Sequence, residues 1–164
     1  MDPGSRGFGF AVLESPAMLV DWGIKSTRDE KESKTVRKVT DLIVRYRPEV
    51  MIVEDCMSDA SRRCERIGQL LAVLNSLANE RGIRSYSFSI EHIKAVFGTF
   101  GAKTKHEIAH VVAQQLPDLA PWMPQYRKPW MSEDYRMAMF RAAALALTFY
   151  YSRGIRNRRK SQAQ

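Results

Sequence analysis

The sequence predicts an α/β fold, in which one domain holds a mixed sheet with helices on both of its faces. Three observations lead to this prediction. Two short apolar segments near the N-terminus have the spacing of antiparallel strands joined by a hairpin. The run VMIVED, Val50 to Asp55, is apolar until its two final acids, which is typical of a parallel strand buried on both faces. Helical patterns precede and follow that run.

The first fourteen residues, MDPGSRGFGFAVLE, combine an acid, a turn and an apolar strand. Asp2 precedes the turn Pro3-Gly4-Ser5, and the segment from Gly7 to Leu13 is apolar enough to be buried. A carboxylate at a strand edge can face a metal ion, and the glycines allow a polyanion to approach the backbone. An ordinary turn is the alternative interpretation, because such sequences are common in turns.

The remaining elements follow from apolar spacing and from helix-breaking residues. A helical stripe begins at Thr35 and ends at Arg47-Pro48, since the residue before a proline disfavours helix. After the buried strand, the sequence predicts four further elements. They are a helix over 61–81, a strand over 83–89, a short helix over 90–97 and a helix that Thr104 caps. A long loop over 117–130 packs on the surface, and Ser132-Glu133-Asp134 opens the last helix.

Composition favours a single soluble domain inside the cell. The 164 residues suffice for a hydrophobic core, and no apolar run approaches the length of a membrane span. The N-terminus lacks the pattern of a secretory signal, so we expect a cytoplasmic location. Cys56 and Cys64 are too few for a disulfide framework and lack the second pair that a zinc site needs. We assign residues 1–151 to the domain and residues 152–164 to a basic, disordered tail.

The charge favours a polyanionic partner. A formal net charge of +8 suits nucleic acid, and an anionic membrane surface is the second choice. Basic residues without an intervening acid fill the segment from Arg153 to Lys160, which we expect to add nonspecific affinity. A merely solvated basic surface is the alternative interpretation.

Three acids lie where elements begin or end: Asp2 beside the first strand, Glu54 at the end of the buried strand, and Asp134 at the start of the last helix. Mg²⁺ and Mn²⁺ prefer oxygen ligands, and two such ions can support phosphodiester hydrolysis. In the alternative interpretation, Glu54 pairs with a cation at the sheet edge and Asp134 complements the N-terminus of a helix.

Four segments together resemble the RuvC family of Holliday-junction resolvases. They are DPGSRGFGFAV, VMIVED with RIGQLLAVLNSLA, IKAVFGTFGAKTKHEIAHVV, and FRAAALAL, and the resemblance extends to about Tyr151. It implies an RNase H-like fold with a mixed five-stranded sheet flanked by helices on both faces. It also implies a metal-dependent endonuclease that acts on branched DNA, usually as a homodimer.

The resemblance assigns roles to individual residues. Asp2 matches the family's first metal-binding acid and Glu54 matches the second. Lys105 falls where the family has a basic residue near the scissile phosphate, although a surface lysine is the alternative. Asp134 is the expected ligand from the last helix, with Glu133 as a possible helper, because neighbours on a helix point about 100° apart.

The chain departs from the family at three places. The family's last helix carries two acids three residues apart, whereas Met137 follows Asp134 here, so a fourth ligand is missing. Met57 replaces an aromatic residue that often wedges into the junction. Only Met1 precedes Asp2, so the chain is truncated or its start is misplaced. Two alternative interpretations therefore stay open. The protein is a catalytically inactive relative that binds nucleic acid, or it is a nuclease of the same fold that acts on other DNA or on RNA.

A rival motif lies on the helix that Thr104 caps. His106, Glu107 and His110 form H-E-x-x-H, the spacing with which two histidines bind zinc and the glutamate acts as a base. A third ligand would have to come from Glu133 or His92, at no recognisable spacing. Histidines that face solvent or contact phosphate are the preferred interpretation, and a zinc hydrolase is the minor alternative.

Overall fold

The computed structural model describes residues 1–4, 7–26, 31–55, 62–128 and 130–161, with side chains for all of these except 2–4, 31–32, 62–66 and 154–161. The strands are β1 (Asp2–Gly4), β2 (Gly7–Ser15), β3 (Met18–Ser26), β4 (Val50–Glu54) and β5 (Arg84–Phe88). The α-helices are α1 (Lys31–Tyr46), α2 (Arg62–Glu80), α3 (Ile90–Gly98), α4 (Lys105–Gln115) and α5 (Met137–Ser161), and a 3₁₀ segment covers Pro117–Trp122.

The five strands form an antiparallel group and a parallel group. β1, β2 and β3 pair in that order as an antiparallel sheet, and β4 pairs with β5 in parallel. The Met1 amine donates a hydrogen bond of 2.7 Å to the Ile52 carbonyl oxygen, which links β4 to the segment that begins β1. The α/β class is confirmed, and the expected five strands form a three-stranded antiparallel sheet and a parallel pair, which the Met1–Ile52 hydrogen bond links.

Two hydrophobic clusters cover opposite faces of these strands. Phe8 and Phe10 of β2 pack with α1 and α2, whereas Ala11 and Leu13 of the same strand pack toward α3, α4 and α5. This alternation follows from the two-residue period of a strand. Helices therefore lie on both faces, as the sequence predicts.

Gly9 allows α5 to lie directly against β2. A Cβ atom at Gly9 would stand 2.2 Å from both the carbonyl carbon and the carbonyl oxygen of Ala138, in the first turn of α5. Gly9 is also the register partner of Asp2 in β1. The backbone of Asp2 is thus one strand away from the point where α5 begins.

The two ends of α5 differ from the sequence prediction. The helix begins at Met137, so Ser132, Glu133 and Asp134 lie in the preceding loop instead of in its first turn. The reason is that the Asp134 carbonyl accepts from the Met137 amide at 3.0 Å, which closes a turn before the helix starts. At the other end, the helical backbone continues through the predicted tail to Ser161, although the tail side chains from residue 154 lie outside the described ones.

In the portions of the chain that the structure describes, no helix combines the length and the apolar character needed to cross a bilayer. Two of the sequence-based interpretations depend on Cys56 and Met57, which lie outside the described residues. The side chains of Cys64 and of the turn after Asp2 also lie outside the described ones.

Candidate functional site

β1 and β4 bring the backbones of Asp2 and Glu54 to one region. Glu54 is the last residue of β4 and is the register partner of Phe88 in β5. Asp2 opens β1, and the residue before it is bonded to Ile52, two residues before Glu54. The side chain of Asp2 lies outside the described ones, so the structure gives its backbone position only.

The Glu54 carboxylate binds an arginine from α5. Both of its oxygens accept from Nη2 of Arg141, Oε1 at 2.7 Å and Oε2 at 2.6 Å. The side chain of Glu54 is 12% exposed and that of Arg141 is 23% exposed, so the pair is largely shielded from water. This is the cation pairing at the sheet edge that the sequence left open as an alternative.

Arg141 is the residue of this region to which the sequence assigned no role. It is the one charge within MFRAAALAL, a segment of α5 whose other residues are apolar and mostly buried. A charge inside a buried apolar stripe indicates a partner, because an unpaired buried charge is costly. Its partner, 87 residues earlier in the chain, could not be identified from spacing.

Asp134 and Glu133 pair with different cations. Arg136 donates to the Asp134 carboxylate from its backbone nitrogen at 2.9 Å and from Nη2 at 2.6 Å. This hydrogen bonding lowers the pKa of Asp134 below its ordinary value. Glu133 accepts from Lys105 Nζ at 3.0 Å, so the structure brings two of the predicted site residues together.

The described carboxylates are chemically suited to a hard divalent ion, and each of them is paired with a cationic side chain that such an ion would have to displace. The ion pairs are Glu54 with Arg141, Asp134 with Arg136, and Glu133 with Lys105. Among the side chains that the structure describes, no three acids, histidines or cysteines group in a way that could hold a metal ion. In this arrangement, basic groups satisfy the charge that a metal ion would otherwise balance.

The H-E-x-x-H motif has a structural role in α4. Glu107 Oε2 accepts from the Thr104 amide at 2.8 Å and from the Lys103 amide at 2.7 Å, and Thr104 Oγ1 accepts from the Glu107 amide at 3.2 Å. This capping box confirms Thr104 as the helix cap and occupies the glutamate. The third candidate ligand, His92, contacts Ser152 Oγ at 3.1 Å and stacks on Phe88. These contacts disfavour the zinc hydrolase.

An aromatic and basic loop follows the 3₁₀ segment. Tyr126 is 74% exposed, Trp130 is 78% exposed and Tyr135 is 73% exposed. Tyr126 meets His106 edge to face at 5.3 Å between ring centroids, and Lys128 Nζ lies 5.5 Å from the Trp130 ring centroid. Part of the predicted surface loop packs as expected, since Leu119 and Pro124 are fully buried. The rings of Tyr126 and Trp130 project into solvent instead. The loop connects to α4 through the Lys105–Glu133 pair.

Comparisons with known proteins identify similar chains. The family model described as crossover junction endodeoxyribonuclease RuvC matches residues 1–124. A curated relative of the same description, from Pelodictyon phaeoclathratiforme, is 24% identical over an alignment of 125 residues. The alignment covers 71% of this chain and 65% of the relative's length.

Two solved structures share the fold. Thermus thermophilus RuvC in complex with a Holliday junction substrate matches with a TM-score of 0.67 at 22% identity, over 93% of this chain and 92% of that chain. A second T. thermophilus RuvC structure matches with a TM-score of 0.63 at 24% identity over the same shares. This chain therefore has the same fold as these proteins, which confirms the predicted RNase H-like architecture.

Proposed function

Because this chain belongs to the RuvC family of crossover junction endodeoxyribonucleases, we propose that it is a structure-specific endonuclease acting on branched DNA. The observation that carries the proposal is the family match over residues 1–124, a range that contains Asp2, Glu54 and Lys105. The match ends before Asp134 and Arg141, where the chain departs from the expected pattern of acids.

The proposed cofactor is Mg²⁺ or Mn²⁺, with two ions as the expected number. The candidate ligands are Asp2, Glu54 and Asp134, with Glu133 as a helper. This assignment is supported by family membership and by the position of Glu54 at the carboxyl end of β4, where open α/β sheets bind their ligands. Metal binding there requires that Arg141 and Arg136 leave the carboxylates of Glu54 and Asp134.

Lys105 is the proposed phosphate contact. Its side chain is 48% exposed, and its bond to Glu133 is a surface ion pair of the kind that contributes little to stability. A DNA phosphate can therefore replace Glu133 as its partner at low cost.

Branched DNA is the proposed partner because it offers unpaired or unstacked bases beside phosphates. Exposed aromatic rings stack on such bases, and neighbouring cations bind the backbone. Tyr126 and Trp130 supply the rings, and Arg127 and Lys128 supply the charges on the same loop. The net charge of +8 supports the same partner.

A homodimer and a cytoplasmic location complete the proposal, both supported by family membership alone. Light scattering on the purified chain tests the first of these, since a dimer has twice the monomer mass of 18.8 kDa. A monomeric mass at micromolar concentration would contradict it.

Cleavage assays on defined DNA substrates test the central proposal. The protein is incubated with a four-way junction, a duplex and a single strand, each in Mg²⁺, Mn²⁺ or EDTA. We expect cleavage of the junction that requires a divalent ion and that is lost in Asp2→Asn and Glu54→Gln. Glu49→Gln is the matched control, because Glu49 is an exposed acid just before β4. Junction cleavage in EDTA, or equal cleavage by Glu54→Gln, would contradict the proposal.

The ion pair between Glu54 and Arg141 favours a second candidate function. A RuvC-fold protein whose acid is neutralised by an internal arginine can bind branched DNA without cutting it. This candidate predicts junction binding in gel shifts under all conditions and no cleavage in Mg²⁺ or Mn²⁺. The same set of substrates therefore distinguishes the two functions.

A further inference from the structure

Arg141 Nη2 lies between the two oxygens of Glu54, at 2.7 Å from Oε1 and 2.6 Å from Oε2. A carboxylate that binds a divalent ion with both oxygens places the ion between them in the same way. A single positively charged nitrogen therefore stands where Glu54 would hold a metal ion. The two cations cannot share this position, since they would repel each other strongly at such short range.

The fold fixes the backbone of Arg141 in this place. Its helix lies against β2 because Gly9 has no side chain, and the residues that follow Arg141 are buried. The run 142–149 is at most 9% exposed, so α5 cannot rotate to turn Arg141 away from β4 without breaking the core. The pair is therefore set by helix packing, unlike a surface ion pair between two mobile side chains.

We propose that Arg141 is a built-in competitor for the divalent cation at Glu54. Its guanidinium neutralises the carboxylate, and a metal ion binds Glu54 only when the Arg141 side chain leaves it. Deprotonation offers no release, because arginine keeps its charge at all physiological pH values. The inference rests on the proposed function in one respect, namely that Glu54 belongs to the candidate metal site.

Arg141 also accounts for the missing fourth acid. Where the family resemblance leads one to expect acids on the last helix, this chain places a base that faces Glu54. Arg136 acts in the same direction by binding Asp134. The consequence is a site whose affinity for metal ions is low in the folded protein without DNA.

Calorimetric titration of the full chain with Mn²⁺, in the absence of DNA, tests the proposal. We expect Arg141→Gln to bind Mn²⁺ about tenfold to a hundredfold more tightly than the wild type, because a charge-assisted hydrogen bond no longer competes. Arg84→Gln is the matched control, since Arg84 pairs with Glu49 at 3.5 Å at the opposite end of the β4–β5 pair. Its Mn²⁺ affinity should equal that of the wild type.

The double variant Glu54→Gln, Arg141→Gln tests whether the added Mn²⁺ binds at Glu54. It should lose the gain in Mn²⁺ affinity that Arg141→Gln shows. Arg141→Met, which keeps an unbranched side chain, replaces Arg141→Gln if circular dichroism shows that the latter does not fold. Equal Mn²⁺ affinity in the wild type and the Arg141 variant, or a gain that survives in the double variant, would overturn the proposal.

This readout is separate from catalysis. A gain in Mn²⁺ affinity without junction cleavage by any variant would support the role of Arg141 and contradict the nuclease proposal. Tight Mn²⁺ binding and junction cleavage by the wild type would support the nuclease proposal and contradict the role of Arg141.

Discussion

At the scale of single residues, Glu107 shows how a motif can match a catalytic pattern and serve a structural purpose. Its carboxylate accepts from the amides of Lys103 and Thr104, and these bonds, in that order, lower the pKa of Glu107 below its ordinary value. A lowered pKa means that the ionised form is favoured in the folded state. Its contribution to stability is therefore full above the ordinary pKa and is lost as the pH falls through the lowered one.

Glu107→Gln should lower the melting temperature most at about pH 7, and the difference from the wild type should narrow as the pH falls below the ordinary pKa of a glutamate. The reason is that the wild type loses the same charge when it becomes protonated in acid. Thermal melts followed by circular dichroism across this pH range provide the measurement. Glu80→Gln, at an exposed position of α2, is the control, and a difference that stays constant with pH would contradict the prediction.

Trp130 carries a prediction about recognition. Because it is 78% exposed, Trp130→Ala should leave the melting temperature unchanged. Loss of one stacked base costs about 1–3 kcal/mol, so affinity for junction and single-stranded DNA should fall about tenfold, with little change for duplex. Val44→Ala, at an exposed position on α1, is the control in fluorescence anisotropy. An equal loss of affinity on duplex DNA would exclude stacking as the cause.

At the scale of elements, the contact between β2 and α5 decides where the candidate site lies. Gly9→Ala should destabilise the protein by about 3 kcal/mol or more, because the new methyl group would overlap the backbone of Ala138 and neither element can yield easily. Urea unfolding provides the measurement.

Gly98→Ala is the matched control for Gly9→Ala. Gly98 ends α3, and an added Cβ there meets nothing within 4 Å. This substitution should stabilise the protein by about 0.5 kcal/mol through the better helix propensity of alanine. Similar effects of the two glycine substitutions would contradict the described packing of α5.

The predicted and observed elements agree where local patterns are strong. The α4 capping box and the strand that ends at Glu54 follow from residues adjacent in sequence. The start of α5 was predicted at Ser132-Glu133-Asp134 because such a sequence resembles a helix cap. It was wrong by about one turn, since Asp134 instead binds Arg136 and precedes the helix.

At the scale of the whole molecule, the net charge of +8 predicts binding that depends strongly on salt. The equilibrium constant for DNA should fall roughly a thousandfold between about 50 and 200 mM salt, if about six phosphates are contacted. Replacing Arg156, Arg158 and Arg159 with glutamine should reduce the slope of log K against log salt by up to about 3, for junction and duplex alike. Anisotropy titrations measure the slope, and an unchanged slope would exclude the tail from binding.

The sequence by itself determined the α/β class, the helices on both faces and the position of Glu54 at a strand end, because each depends on the periodicity or capping of neighbouring residues. It also carried the family resemblance that the comparisons confirmed. Only the tertiary structure decided which cation meets which acid. Arg141 binds Glu54 because α5 crosses β2 at Gly9, and no local pattern encodes a contact between residues 87 positions apart.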